Sequence, residues 1–486
     1  MPLLDPQEWT DRVFTGTWTP AHGGTAPVTS PVTGVAIGSI GSADADDVSA
    51  SVREAARAQR AWAAAPYTER AAVLRRAGDL FAEYTDEIVE WSMREAGSAR
   101  GKAAFETHLA GIEAHESAAL ASQPAGEVLR SEQPRLSLSR RVPVGVVGVI
   151  APFNFPLILG LRSVAPALAL GNAVVLKPDP RTAVSGGVVI AQILREAGLP
   201  EGLLHVLPGG AEAGARLVEE PAVRVISFTG STQAGRKVGE AAGRHLKRAH
   251  LELGGNSPLV VLDDADVERA ASAGAWGSFL HQGQICMTTG RHLVHSSIAD
   301  TYVELLAAKA AALSVGDPEK EGTALGPIID EGQRDRVHDL VSRSVEAGAR
   351  VRAGGTYDGL MYRPTVLDRV TPDVPAHAEE VFGPVAPVIA FDTLDEAVEI
   401  ATASDHGLSL GVLTGNPMRG MELAERIPTG LVHVNDQTVD DEPVAPFGGV
   451  GASGTGARFG GTTANLEAFT ETQWVTMQAD IRTYPF

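Results

Sequence analysis

Cys286 is the only cysteine among 486 residues. It stands in Gly283-Gln284-Ile285-Cys286-Met287-Thr288-Thr289-Gly290-Arg291, bracketed by glycines, on an expected loop between a helix ending near His281 and a strand from Arg291. Loops held by a rigid scaffold are where nucleophiles tend to be presented. A thiol there attacks electrophilic carbon once its pKa is lowered or a base stands nearby. A free cysteine is otherwise a small buried hydrophobe, and the residue alone leaves both readings open. Glu252 ends an apolar strand before two glycines, in Leu251-Glu252-Leu253-Gly254-Gly255-Asn256. Open α/β sheets bind ligands at the C-terminal ends of their strands, so Glu252 is a candidate general base toward water; a salt-bridged strand-end carboxylate is the alternative. Asn154, in Ala151-Pro152-Phe153-Asn154-Phe155-Pro156, sits in a turn between strand and helix. A primary amide there donates to a developing oxyanion, or simply caps the turn.

Three further places suit a dinucleotide. Lys177 ends a strand before Pro178-Asp179-Pro180, where a cation can meet ribose hydroxyls or a phosphate. Phe228-Thr229-Gly230-Ser231-Thr232-Gln233-Ala234-Gly235 runs from strand into helix. Its glycine permits close backbone approach, and the helix start offers free N–H groups to a pyrophosphate; a Gly-Ser turn capping a helix explains the same residues. In Glu379-Glu380-Val381-Phe382-Gly383-Pro384, Glu380 can hold a nicotinamide ribose with Phe382 near the ring, or the segment is a turn with a core Phe. The histidines offer no metal site: there is no H-E-x-x-H and no Cys/His ligand pair. No G-x-S-x-G elbow is present either.

The elements that must position these residues follow from periodicity. Residues 43–120 read as helices, opened by Asp44, Asp46 and Asp47. From Val144 strands and helices alternate: strands at Val144–Ile150, Asn172–Lys177, Leu203–Leu207, Val223–Phe228 and His250–Leu253, helices from Pro156 and at Thr182–Ala197, Ala211–Glu219 and Ser231–Arg244. Such βα repeats imply a doubly wound, Rossmann-like parallel sheet with helices on both faces. A second α/β set has strands at Leu259–Leu262, Arg291–Val294, Val385–Phe391, Leu408–Thr414 and Leu431–Val434, with helices such as Ile298–Leu313 and Leu394–Ala403. Leu136–Arg140 and Thr472–Met477 alternate in polarity and are expected to pair as an edge sheet. Exposed edges need a cover, which suggests an oligomer.

Length calls for two or three domains. A formal net charge of −20 without a basic cluster excludes a nucleic-acid footprint. The apolar stretch Val144–Leu176 contains Pro152, Pro156, Pro166 and Arg162, which fits strand, turn, helix and strand better than a membrane span. A lone cysteine cannot close an intrachain disulfide and fits a reducing compartment. The N-terminus shows no basic and apolar leader pattern, and a cytoplasmic location is expected.

Taken in order, PFNFP at 152–156, KP at 177–178, FTGST at 228–232, LELGG at 251–255, GQIC at 283–286, EEVFGPV at 379–385 and PFGG at 446–449 resemble the aldehyde dehydrogenase superfamily. The resemblance implies an α/β fold of two doubly wound domains plus a small oligomerisation sheet. The dinucleotide-binding domain would be 1–123 and 142–252, the cysteine domain 253–463, and the oligomerisation segments 124–141 and 464–486. It implies a homodimer or homotetramer that binds NAD or NADP and takes a small aldehyde to the acid. Cys286 would form a thiohemiacetal and then a thioester, with Asn154 and the Cys286 N–H at the oxyanion and Glu252 activating water. Lys177, Gly230, Ser231, Gly235, Glu380, Phe382, Phe153 and Leu253 would bind the cofactor.

LKPDPRTAVSGG at 176–187 and GQICMTTGRHLV at 283–294 resemble the benzaldehyde and vanillin dehydrogenase group, which implies an aromatic aldehyde. Ile285, Met287 and Phe447 are the expected substrate contacts, though apolar neighbours also accept an aliphatic chain or semialdehyde. A cysteine-dependent esterase is the reading from another class. One departure stands out: Pro180 occupies the place where many NAD-preferring members carry a ribose-binding glutamate. Without that carboxylate NADP is expected to be tolerated beside NAD, with Arg181 available to its phosphate.

Overall fold

The computed structural model describes residues 2–486. The apolar run Val146–Ile150, buried along its whole length, forms a strand at the centre of a seven-stranded sheet. Val223–Thr229 and Ala173–Lys177 flank it in parallel, and Arg248–Glu252 and Leu204–Val206 extend it, also in parallel. Arg12–Phe14 and Trp18–Pro20 add an antiparallel edge, so the sheet is mixed rather than parallel throughout. These strands have only three residues each, too few to show a period, and Phe14↔Val206 is the one residue pair joining them to the sheet.

A second seven-stranded sheet contains parallel strands Thr365–Asp368, Val385–Phe391, Thr289–His295, Ser257–Val261, Ser409–Leu413 and Leu431–Val434, with Arg350–Ala353 antiparallel at one edge. In the first sheet, Ile150 pairs with Lys177 and Phe228, and Thr229 with Glu252, so these C-terminal strand ends lie at one level. In the second sheet, Ser257 pairs with Thr289 at the strand starts, three residues after Cys286. The candidate residues therefore gather where the ends of one sheet face the beginnings of the other.

Residues 43–120 form four helices: Ala45–Ala64, Tyr67–Glu83, Thr85–Ala96 and Arg100–Leu120. Asp44 caps the first, accepting from the Asp46 and Asp47 N–H groups. Val144–Leu176 is strand, turn, helix and strand. Among the described residues no helix is long and apolar enough to cross a membrane. Leu136–Pro143 pairs antiparallel with Thr470–Met477 over its full length, and Gly126–Val128 lies on its other side. Thr470–Met477 is an edge strand, with Trp474 and Met477 exposed.

One buried ion pair sets the Asn154 turn. The helix Pro156–Ala169 starts with proline and has no side-chain cap of its own. Glu106, from Arg100–Leu120, supplies one: its Oε1 accepts from the Leu157 and Ile158 N–H groups at 2.9 and 3.2 Å. Its other oxygen takes Lys102 Nζ at 2.6 Å, and Lys102 also donates to the Asn154 carbonyl at 2.8 Å. The ammonium lies 4.2 Å from the centre of the Phe155 ring. Both charged side chains are 1% exposed. Breaking a buried pair from one side leaves the other charge uncompensated, at about 3–5 kcal/mol. Lys102→Met is therefore expected to lower the thermal unfolding temperature and to slow turnover through the loosened turn; calorimetry showing the wild-type temperature would contradict this.

Candidate active site

A cleft of about 620 Å³ lies between the two sheets, lined by Asn154, Lys177, Gly230, Ser231, Cys286 and Glu380 together with Phe153, Leu253 and Phe382. Local sequence explains how each arrives. Lys177 ends its strand and is 8% exposed; its Nζ donates to the Pro178 carbonyl at 3.2 Å. Burial lowers its pKa, and the Asp179 carboxylate opposes that. Gly230 follows Thr229, and its N–H donates to the Glu252 carbonyl at 3.0 Å. A Cβ at Gly230 would fall 2.7 Å from the tip of the Phe228 ring, so any larger residue requires that ring to shift. Ser231 caps the 13-residue helix Thr232–Arg244. Lys177 and this helix start make a cationic cradle with free N–H groups, which fits a dinucleotide.

Cys286 is presented by an unusual turn. The helix Val267–Phe279 ends two residues before His281, earlier than the sequence suggested. His281, Gln282 and Gly283 then take left-handed backbone, at φ of 49°, 57° and 65°. Gln282 Nε2 ties this turn to the Gly97 and Pro327 carbonyls at 3.2 and 2.7 Å. Burial pushes the Cys286 thiol up, and Glu380, Glu252 and Asp441 push it further the same way. These surroundings disfavour the thiolate relative to a free cysteine.

Two carboxylates bear on it. Glu380 Oε1 accepts from the Gly255 N–H at 2.9 Å. Burial raises its pKa to about 7, against that hydrogen bond and Arg336. Glu252 does not line the cleft; its carboxylate lies next to Gly448, 3% exposed, and neither oxygen has a hydrogen-bond partner. Burial raises its pKa well above the carboxylate range, with Arg458 and Arg162 opposing.

Phe153 and Phe382 meet edge to face at 5.9 Å. Phe382 sits at φ 52°, an uncommon backbone for an aromatic residue, with its carbonyl held by Gln333 Nε2 at 2.8 Å. Arg181 packs over Phe153 at 4.2 Å, but its guanidinium is shared between Asp179 at 2.9 Å and Asp330 at 2.6 Å. It is already neutralised, unlike the free guanidinium expected for a phosphate. Gly235 faces the core: a Cβ there would run into the Leu253 side chain.

On the other side of Cys286, Ile285, Met287, Leu408 and Phe447 form a buried apolar cluster joined by Phe155, Leu280, Leu431 and Val439. Arg162, 2% exposed, lies over the Phe447 ring at 5.1 Å and pairs with Asp441. Sequence reasoning missed Lys102, Glu106, Asp179, Leu408, Asp441 and Arg458. Arg162 gave a signal: a cation inside an apolar helix demands a buried acid, and Asp440-Asp441-Glu442 shortly before Pro446-Phe447 supplies one.

Residues 18–475 match the sequence profile of the Aldehyde dehydrogenase family. The chain is 65% identical over 486 residues to a vanillin dehydrogenase of Amycolatopsis sp., covering 100% of both chains. It is 51% identical to a benzaldehyde dehydrogenase [NAD(+)] of Pseudomonas putida, covering 98% of each. Among solved structures, a salicylaldehyde dehydrogenase from Pseudomonas putida G7 complexed with salicylaldehyde superposes with a TM-score of 0.94 at 35% identity, over 98% of this chain and 99% of that one. A thiol, two buried carboxylates and an amide turn at the meeting of two α/β sheets, with a full-length family match, lead to one conclusion: this chain belongs to the aldehyde dehydrogenase family.

Proposed function

We propose that this protein oxidises aromatic aldehydes of the benzaldehyde and vanillin type to carboxylic acids, with NAD or NADP as oxidant. The observation that carries this reading is the position of Cys286, between the cleft that holds Asn154, Lys177 and Glu380 and the apolar cluster of Ile285, Met287 and Phe447. Apolar side chains beside the nucleophile suit an aromatic ring. The relatives named for vanillin and benzaldehyde support the same class.

Cys286 Sγ bonds to the aldehyde carbon, and the thiol proton leaves to solvent. The Asn154 amide and the Cys286 N–H donate to the oxyanion, which needs such preorganised donors. A nicotinamide bound in the cleft would supply the acceptor for the hydride on that carbon. Lys177, Gly230 and Ser231 hold the cofactor's ribose and pyrophosphate, and Glu380 with Phe382 positions its nicotinamide end. Glu252 then takes a proton from water, which attacks the thioester carbon and releases the acid. Leu253 and Phe153 close the cleft wall, and Gly235 acts by packing.

A homodimer or homotetramer is supported by the open edge at Thr470–Met477. The reducing cytoplasm is the location that keeps the sole thiol free.

Three outcomes test this reading. In a panel of benzaldehyde, vanillin, a short aliphatic aldehyde and succinic semialdehyde, the aromatic substrates should lead in kcat/KM by about tenfold or more, about 1.4 kcal/mol; parity with the aliphatic one would refute the substrate class. Cys286→Ala should abolish aldehyde oxidation yet bind cofactor, seen by fluorescence titration, and near wild-type activity would end the nucleophile assignment. NADP should be accepted, because Pro180 leaves no carboxylate at that position to repel the 2′-phosphate, while the occupied Arg181 keeps NAD ahead. A kcat/KM preference for NAD above about a thousandfold, or 4 kcal/mol, would overturn NADP tolerance.

A further inference from the structure

Hydrolysis by Glu252 poses an electrostatic problem. Its carboxylate is buried, with the Gly449 N–H nearby but no well-formed hydrogen bond to either oxygen. A base in such surroundings keeps its proton unless a positive charge faces it. The segment that covers the strand end supplies one. The Leu253 N–H donates to the Ser453 carbonyl at 2.9 Å, and Glu252 and Gly454 form a β-bridge. Farther along this segment, Arg458 Nη1 donates to the Gly449 and Ala457 carbonyls at 3.1 and 2.9 Å. Gly448 lies between the two groups: a Cβ there would fall 2.9 Å from both Arg458 Nη1 and Glu252 Oε1. Glycine therefore leaves open the gap across which they face each other.

The other charges facing Glu252 do not substitute for Arg458. Arg162, from the helix Pro156–Ala169, is paired with Asp441, whose own charge works against ionisation of Glu252. Glu380, across the thiol from the segment Glu379–Pro384, is a further carboxylate. Arg458 hydrogen-bonds only to carbonyls, so its charge remains available to Glu252.

We propose that Arg458 is a positioning residue for hydrolysis: held on two carbonyls, it supplies across Gly448 the positive charge that lets Glu252 ionise and accept the proton of the attacking water. The proposal rests on Glu252 being the base. In the step, the water oxygen bonds to the thioester carbon while its proton goes to Glu252. The C–S bond then breaks, and that proton returns to the Cys286 sulfur, leaving free acid and thiol. Burial alone pushes the Glu252 pKa up, and Arg458 is the largest influence pulling it back.

Two variants separate charge from scaffold. Arg458→Gln keeps donors for the carbonyls and loses the charge; Arg458→Lys keeps the charge. The readout is the pH dependence of decay of the acyl-enzyme in single turnover, with its formation as the comparison. For Arg458→Gln the decay profile is expected to shift to higher pH by about one unit or more, a slowing of about tenfold near neutrality, while acyl-enzyme still forms. Arg458→Lys is expected to follow wild type. A wild-type profile for the Gln variant, or a shifted one for the Lys variant, overturns the proposal. If the Gln variant fails to fold, the Lys variant still decides. Glu252→Gln is the control. If it hydrolyses the acyl-enzyme like wild type, the base assignment itself falls; if it stalls while Arg458→Gln is unshifted, only the role of Arg458 falls.

Discussion

Glu252 and Glu380 are both buried within electrostatic reach of the Cys286 thiol, and removing these groups from water governs what the resting site can be. Desolvation penalises the ionised form of each. The carboxylates raise the thiol's proton affinity beyond what burial does, because a thiolate would repel each of them in its ionised form. Each of the three groups is thereby biased toward its neutral form. Reaction must therefore bring positive charge or hydrogen-bond donors to these groups, and the surrounding protein is arranged to do so.

The backbone that presents the reacting groups is itself strained. His281 and Gln282 lie in left-handed conformations just before Cys286, and Phe382 does so two residues after Glu380. Such residues cost about 1–3 kcal/mol each and persist only where neighbours over-determine them. Side-chain amides do that work: the buried Gln282 grips two carbonyls from distant segments, the half-buried Gln333 holds the Phe382 carbonyl, and the buried Gln284 Oε1 accepts from the Ile329 N–H at 3.1 Å. The same logic holds the amide turn, where Lys102 fixes the Asn154 carbonyl. Around the thiol, at the amide turn and at Phe382 alike, a neighbouring side chain fixes the backbone.

How much of this was legible in the sequence depended on range. Val385–Phe391 and Leu431–Val434 were read with their observed ends because continuous apolar runs bounded by turns carry their own limits. Leu136–Arg140 and Thr472–Met477, though more than 300 residues apart, both alternate in polarity, and they pair within the longer strands Leu136–Pro143 and Thr470–Met477. Arg12–Phe14 escaped notice because three residues hold no period. The clustering of Asn154, Lys177, Cys286 and Glu380 was expected from ordered motifs. Their supports were not. Lys102 with Glu106 is a short-range pair on a helix, indistinguishable in sequence from a solvated one until its burial is seen. Arg162 with Asp441 and Arg458 with Glu252 join residues about 200 to 280 positions apart, beyond any local pattern.

Arg181 shows why such supports decide specificity. By its position after Pro180 it reads as a free cation beside the adenosine end of the cleft. In the fold, Asp179 accepts both its backbone N–H and its guanidinium, and Asp330, the cap of helix Glu331–Glu346, takes the other side. The carboxylate missing at 180 thus has a neighbour at 179, but that neighbour is committed to Arg181. A 2′-phosphate entering here meets no unpaired acid to repel it and no unpaired guanidinium to bind it. To gain Arg181 it must displace Asp179 or Asp330, trading one charge-assisted contact for another. Because Asp330 belongs to the segment that also carries Gln333, and Gln333 holds Phe382, loosening this bridge would reach the nicotinamide end of the same cleft. In the proposed cofactor site the two ends would therefore be linked through Arg181, which would limit how far one end can change without disturbing the other.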